Sequence, residues 1–455
     1  MPLVHAVALA WLLSFLLAMP IGGAQAGASD VQTEDLVDIF HQARSADPRL
    51  RGQFHELEQL REQRRESRSL LMPQLSFSAD VRRTRRDQTQ SGLGGEEEMT
   101  RDFTMENYGL NLTQPLVDMP AWHQLRRGDR QVDQGEAELE ATRQELVARV
   151  LQAYLTVLSA QSELALARHE RDAIDASRER IEGLYEERMA AITDLEEVRA
   201  RRDSVHAAVI RAEGDLDVAL ERLSEITGTP HHRLAGLRAD APLPPLGPDD
   251  LDAWVAQALD INPRLRAAMA RVAAAESDIR GARAQRYPSL DLVASYSYLD
   301  DLDGSPYGRK YEDSAIGLRL EVPLYTGGAI GARTRGAGHA RDQQRQALEA
   351  TRREIRANVR SAYRALQSGR SEIRALEQAV RSNERSVEAV DAGFAAGLRP
   401  LVDILDAQRD LFAARRNLAE ARHEFLINRI ELLLSAGVLS EEDIMVINDM
   451  LVSTQ

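Results

Sequence analysis

The chain has 455 residues, of which 28% are charged and 5% aromatic, with a formal net charge of −15 and no cysteine. The acidic balance argues against a nucleic-acid partner, which wants a basic face. The missing thiols exclude disulfides, Cys-based metal sites, a Cys nucleophile and acylation of an N-terminal Cys.

Residues 1–26 read as a secretory signal peptide. Ala6 to Met19 is an apolar run, Pro20 to Gly23 breaks it, and Ala24-Gln25-Ala26 is a small-x-small cleavage site, which puts the mature start at Gly27. The leading region carries His5 but no Lys or Arg, so an uncleaved anchor is the alternative, against which the apolar run falls short of ~20 residues. No other stretch is long and apolar enough for a membrane helix. A membrane-spanning part would have to be made of strands.

The mature chain is internally duplicated. Asp47-Pro48-Arg49-Leu50-Arg51 returns as Asn262-Pro263-Arg264-Leu265-Arg266, 215 positions on. A second register of 209 carries Tyr154 to Tyr363 and Asp194 to Asp403. Repeats outrank other fold signals. The expected organisation is a first structural repeat over 27–228, with a helix, a β-hairpin at 73–115 and a coiled-coil hairpin at 120–228. A linker follows at 229–248. The second repeat covers 249–437, with its β-hairpin at 288–324 and coiled-coil hairpin at 329–437, and a short acidic C-terminal tail closes the chain at 438–455.

Each repeat opens with a helix, near 34–70 and 249–286, and goes on to segments that alternate with period two, the mark of strands with one apolar face. In 75–82, Leu75, Phe77, Ala79 and Val81 oppose Ser76, Ser78, Asp80 and Arg82; 106–115, 290–299 and 314–323 behave alike. A parity slip between Met105 and Tyr108 suggests a bulge. The links at 83–102 and 300–312 are long and polar, as in the outer loops of membrane barrels. Prolines 73, 115, 288 and 323 mark the change from sheet to helix. Four strands cannot close a barrel, for which about eight are needed. Transmembrane strands would therefore require an oligomer that pools them. The alternative is two hairpins packed on a soluble core.

The helical arms carry heptad seams. In the last arm Ile404, Leu411, Leu418, Phe425 and Leu432 alternate with Ala407, Ala414, Ala421 and Asn428, and the first returning arm repeats the pattern from Leu195 to Ile226. Gly397-Leu398-Arg399-Pro400 reads as a tight turn at the tip of a coiled-coil hairpin. Asp403 and Asp406 follow it on one helix face. Acids at that place also suit a helix N-terminus.

The ordered, doubled set of Gly397-Leu398-Arg399, Val402-Asp403-Ile404-Leu405-Asp406-Ala407-Gln408, Ala191-Ile192-Thr193-Asp194-Leu195, Asp203 and Ile226-Thr227-Gly228 resembles the TolC-like outer-membrane efflux proteins. The resemblance covers almost the whole mature chain. It implies a mainly α chain with transmembrane β: a homotrimer in the outer membrane of a Gram-negative bacterium, whose protomers each give four strands to a 12-stranded β-barrel continued by a long α-helical coiled-coil barrel in the periplasm. It further implies a passive channel-tunnel for efflux or type I secretion, set in outer-membrane lipid and docked through its periplasmic tip to an adaptor (membrane fusion) protein and an inner-membrane transporter. By the same resemblance Asp403 and Asp406 form an acidic ring at the aperture. Arg399, Thr193 and Asp194 form a closed-state latch. Gly397, Leu398, Ala190 and Ala191 make the adaptor-contacting tip. Phe394 departs from the family's usual Tyr, Arg188-Met189 from Gly-Leu, and Arg199 from Gln.

No GxxxxGK[ST] or HExxH run is present, and no nucleophile-base set can be assembled. No enzymatic activity and no cofactor are expected, and the lone His231-His232 pair beside Pro230 is not expected to be a metal site. A soluble periplasmic adaptor or spacer is the competing reading. It accounts for the heptads and signal but not for two alternating hairpins bounded by prolines.

Overall fold

The computed structural model describes residues 34–92, 95–232, 234–238, 242–244, 247, 249–301 and 309–452. The signal peptide at 1–26, the cleavage site before Gly27 and the middle of the 300–312 link lie outside them.

The element order is written twice. α1 (Leu36–Ala46), α2 (Pro48–Ser69), β1 (Gln74–Gly92), β2 (Gly95–Val117), α3 (Met119–Glu186) and α4 (Ile192–Thr227) are matched by α5 (Leu251–Ile261), α6 (Pro263–Ala284), β3 (Ser289–Asp301), β4 (Arg309–Glu321), α7 (Ala329–Ala395) and α8 (Leu401–Ala436). α9 (Glu441–Asn448) follows, and its Ile444 and Ile447 are buried in the main core. The opening helix expected in each repeat is in fact two helices. The break falls where Asp47 and Asn262 turn extended before a proline, and each caps the next helix: Asp47 accepts from Leu50 N at 2.7 Å and Asn262 from Arg264 N at 2.9 Å.

α3 and α7 are 68 and 67 residues long, roughly 100 Å at 1.5 Å per residue. Near the sheet α3 packs on α2 and α6; farther away it packs on α4 and α8. The largest apolar cluster lies where these sets exchange, around Leu151, Tyr154, Val359, Phe425 and Ile430. Two equivalent tyrosines tie the segment between the repeats to it. Tyr154 donates to the carbonyl of Ala235 at 2.7 Å and Tyr363 to Asp249 at 3.3 Å. His231 sits beside this segment with both ring nitrogens occupied, by Glu34 at 2.5 Å and Thr227 at 2.7 Å.

The four strands form one antiparallel sheet in the order β1-β2-β3-β4. Two expectations are corrected here. Residues 83–92 and 95–102 are strand rather than loop: β1–β2 pairing runs from Gln74↔Thr113 to Gly92↔Gly95. Its charges are accommodated across the ladder, with Arg85 opposite Asp102 and Thr100 donating to Asp87 at 2.7 Å. Nor is there a bulge at 105–108. The slip in parity arises because the opposite face also holds apolar groups, Met105 and a buried Phe103 under the guanidinium of Arg86. The register instead shifts between Pro115 and Val117 against β3, where Pro115 has no N–H to give.

Candidate functional site

Two regions at opposite ends of the helices carry the functional signals. The first is one face of the sheet. Leu75, Phe77 and Val81 share it with Leu110, Leu112, Leu290, Leu292, Ile316, Leu318 and Leu320 through the ladder register. Most of these side chains are exposed, Phe77 68%, Leu318 66% and Leu324, just beyond β4, 91%, while Leu112, Leu290 and Leu292 are half-buried. Within β4 the apolar run from Ile316 to Leu320 extends roughly 13 Å at the rise of a strand, and the exposed Val322 and Leu324 continue it past the strand's end at Glu321. Tyr108, Tyr296 and Tyr298 edge it toward the hairpin ends, the first and last with ring centroids 6.2 Å apart. Exposed Trp122, Tyr287 and Tyr325 edge it toward the helices. An apolar band between two aromatic belts is the signature of a surface that faces lipid. Among the described residues the outer edges of β1 and β4 pair with no strand.

The second region is the tip where α3 turns into α4 and α7 into α8. Both turns are Schellman motifs. Met189 N donates to Leu184 O at 2.7 Å and Leu398 N to Gly393 O at 2.9 Å, with Arg188 N and Gly397 N reaching Tyr185 O and Phe394 O. The residue at the left-handed position is Gly397, φ 73°, in one turn and Arg188, φ 60°, in the other. The Gly-Leu missing from the first tip therefore leaves the turn type intact, at a backbone cost of ~1–2 kcal/mol for a residue with a Cβ. Behind the turns Ile174 and Ile181 of α3, Leu195 and Val198 of α4, and Leu401 and Leu405 of α8 bury one another, with Ala190 and Phe394 packed alongside. Leu398 projects from the tip, 80% exposed, and Met189 and Ile192 are exposed with it. Ala191 is the N-cap residue of α4.

The expected site residues gather here, though not all as the latch pairing has it. Within one chain Arg399 bridges Asp403, Nη1 to Oδ2 at 3.0 Å, one helical turn on. Asp194 accepts from the backbone N–H of Ala191 at 3.3 Å, capping its own helix, and Thr193 is exposed beside it. No hydrogen bond joins Arg399 to Thr193 or Asp194 in the single chain among the described residues. Asp406 pairs with Arg409 at 2.9 Å, and the same guanidinium reaches Asp410 at 3.2 Å. The acids of the second tip, Asp403, Asp406 and Asp410, are thus each accompanied by an arginine. The stem of Arg399 lies against Gly393, where an added Cβ would meet its Cγ at 2.9 Å. Two acids have signals of different strength in the sequence: the 209 register marks Glu197, which stands where Asp406 stands in the second repeat, whereas Glu170, buried between the hairpins, has no acid at its matching position.

The family model described as outer membrane efflux protein matches twice, over residues 39–229 and 254–438. The chain belongs to this family. It is 33% identical over 424 residues to the outer membrane protein TolC of Vibrio cholerae, covering 92% of this chain and 94% of that one. It is 32% identical over 411 residues to the alkaline protease secretion protein AprF of Pseudomonas aeruginosa, covering 90% and 85%. Its fold is that of the solved CusC channel, with a TM-score of 0.78 at 20% identity over 90% of this chain and 93% of that one. OprN, an outer-membrane channel, superposes with a TM-score of 0.77 at 21% identity, covering 88% and 89%. The family membership places the chain in the outer membrane of a Gram-negative bacterium.

Proposed function

We propose that three copies of the chain pool their sheets into a closed 12-stranded barrel and their helices into a tunnel below it, forming a passive duct for efflux or type I secretion. The observation that carries this is the pair of open edges on β1 and β4, in a sheet whose exposed face is apolar. Unpaired backbone groups cost several kcal/mol each in hydrocarbon. The sheet must therefore close with other copies, and closure leaves the helices ringed beneath it. The exposed band also weighs against a soluble spacer, which has no use for it.

The repeats proposed to form the wall are 27–228 and 249–437, joined by 229–248, with 1–26 removed as the signal peptide. The tip is the gate. Asp403 and Asp406 form the aperture ring, which selects cations, and Arg399 reaches Thr193 and Asp194 of a neighbouring hairpin as well as its own Asp403. The exposed turns at Ala190-Ala191 and Gly397-Leu398 meet a periplasmic adaptor, which brings an inner-membrane transporter that supplies the energy. Relatives named for protease secretion support the secretion branch, and one named as an efflux protein supports the other.

The test has two parts. Mature protein extracted in detergent should be found only in the outer-membrane fraction, with the mass of a trimer by light scattering. A soluble monomer or dimer would return the strands to a packed core and sink the barrel. In planar bilayers Arg399→Ser should raise single-channel conductance, and unchanged conductance would remove Arg399 from the latch.

A further inference from the structure

Glu170 lies midway along the interface of the two helical hairpins, its side chain 8% exposed. A buried carboxylate is costly unless both oxygens are paired. Here each oxygen has its own guanidinium. Oε1 accepts from Arg201 Nη2 on α4 at 3.0 Å, and Oε2 accepts from Arg416 Nη2 on α8 at 3.2 Å. Arg416 is also 3.0 Å from Oε1 of Glu163, one helical stretch farther up α3. One side chain of the first hairpin's long helix thus holds both its own returning arm and the returning arm of the second hairpin.

The duplication shows that this is not a general feature of the wall. In the 209 register Glu163 corresponds to Glu372, but Glu170 corresponds to Ala379, Arg416 to Ala207 and Arg201 to Asp410. In a ring of copies those positions form the equivalent junction, between α7 of one chain and α4 of the next. None of the positions aligned with the clamp's arginines is an arginine, and the position aligned with Glu170 is not an acid. The residues that make the clamp inside the chain are therefore not repeated in the second half.

We infer that Glu170 is a positioning residue for the gate, fastening the α7/α8 hairpin to the α3/α4 hairpin through Arg416. It acts about 24 Å back from the tip, the length of α3 between Glu170 and Glu186. The α8 arm cannot swing away from α3 without giving up the pairs that Arg416 makes to Glu170 and Glu163. This inference rests on the reading of the tip as a gate.

The experiment is single-channel recording of the full mature protein in planar bilayers, with Arg399→Ser as reference. Glu170→Gln keeps the shape and removes the charge. It should raise the open-to-closed ratio at least ~10-fold, equivalent to about 1.4 kcal/mol. Arg416→Gln, which also gives up the pair to Glu163, should do at least as much, and the double variant should do no more than Arg416→Gln alone, because the Glu170–Arg416 link is already broken in it. A lowered thermal midpoint with unchanged gating would show a purely structural role and overturn the inference. The converse variant, Ala379→Glu with Ala207→Arg, builds the clamp at the other junction. It should lower opening by a similar factor, and unchanged opening would also count against the clamp. If Arg399→Ser opens the channel and Glu170→Gln does not, only this inference falls. If neither opens it, the gate itself is misplaced.

Discussion

Replacing Arg409 by Gln separates the charge of the proposed aperture from the proposed latch. Arg409 is half-exposed and lies 2.9 Å from Asp406 and 3.2 Å from Asp410, while Arg399 pairs elsewhere. Gln has nearly the helix propensity of Arg, so α8 should keep its shape, and exposed pairs of this kind contribute only ~0.2–1 kcal/mol to stability. What changes is the field, by one unit of negative charge per copy. A unit charge roughly 10 Å from an ion on the axis contributes about 0.4 kcal/mol in water. At 0.1 M salt, with a Debye length of about 10 Å, about a third of that survives. Summed over three copies, a divalent cation gains about 1 kcal/mol, a roughly five-fold tighter block. The assay is titration of single-channel block by a divalent cation at fixed ionic strength, with the slope repeated at higher salt, where the gain should shrink. An unchanged or weaker block would mean that Asp406 and Asp410 lie outside the aperture's field.

Other outcomes follow from single contacts. Asp403→Ala with Asp406→Ala should weaken cation selectivity and multivalent block, and unchanged selectivity would leave these acids as helix-start residues. Gly393→Ala should displace the stem of Arg399, which an added Cβ would meet at 2.9 Å, and should reproduce part of the conductance rise of Arg399→Ser; wild-type conductance would show that the stem relaxes. Leu318→Arg, on the lipid face, should cost about 2–4 kcal/mol if it sits at the bilayer midplane, read as loss of refolding into vesicles, whereas a neutral result would move the membrane elsewhere. Burial works to raise the Asp47 carboxyl, but Arg149 at 2.8 Å and the N–H of Leu50 outweigh it and hold it below the usual carboxylate range. Its contribution is therefore fully present above the unfolded value of about 3.9 and is lost as pH falls through the lower folded value. Asp47→Asn, which copies Asn262 of the second repeat, should reduce the loss of thermal stability on acidification below pH ~4, and an identical acid profile would refute the assignment.

The parts of this fold that the sequence made legible are those governed by period. The heptads of α4 and α8 and the alternation of β1, β3 and β4 each report a single buried or lipid-facing stripe, and the duplication lets one repeat vouch for the other. What escaped was set by pairing rather than period. Arg83 to Gly92 reads as a polar loop because it is charged and polar throughout, yet the ladder continues, with Arg85 opposite Asp102 and Thr100 bonded to Asp87, even though Arg86 faces Arg101. The slip at Met105 was read as a bulge because a second apolar face looks the same as a phase change in one dimension. At the site, the turn at Gly397-Leu398 was visible from its glycine, whereas the clamp on Glu170 was not. Its members lie on three helices, and only their absence from the other repeat marks them.

Two copies of one hairpin need not have become two different tips, and the way they differ bears on the gate. At the C-terminal end of the long helix the second repeat has Gly393 and Gly397 where the first has Leu184 and Arg188. Gly393 lets Arg399 fold back along α7, and Gly397 takes its left-handed φ without cost. The first turn has a bulky residue at one position and an unfavourable φ at the other, and Ala190 stands where Arg399 does. The acids, by contrast, are kept in both: Asp194 with Glu197, Asp403 with Asp406. In the proposed ring of three copies there would be six acid pairs but only three turns with an arginine at the position of Arg399, since the first turn carries its arginine at Arg188 and has Ala190 there, so a docking partner would meet alternating surfaces rather than six equal ones. On that reading charge at the aperture is shared by all six hairpins while the latch arginine sits on the second hairpin alone, and that hairpin is the one Arg416 ties back to Glu170.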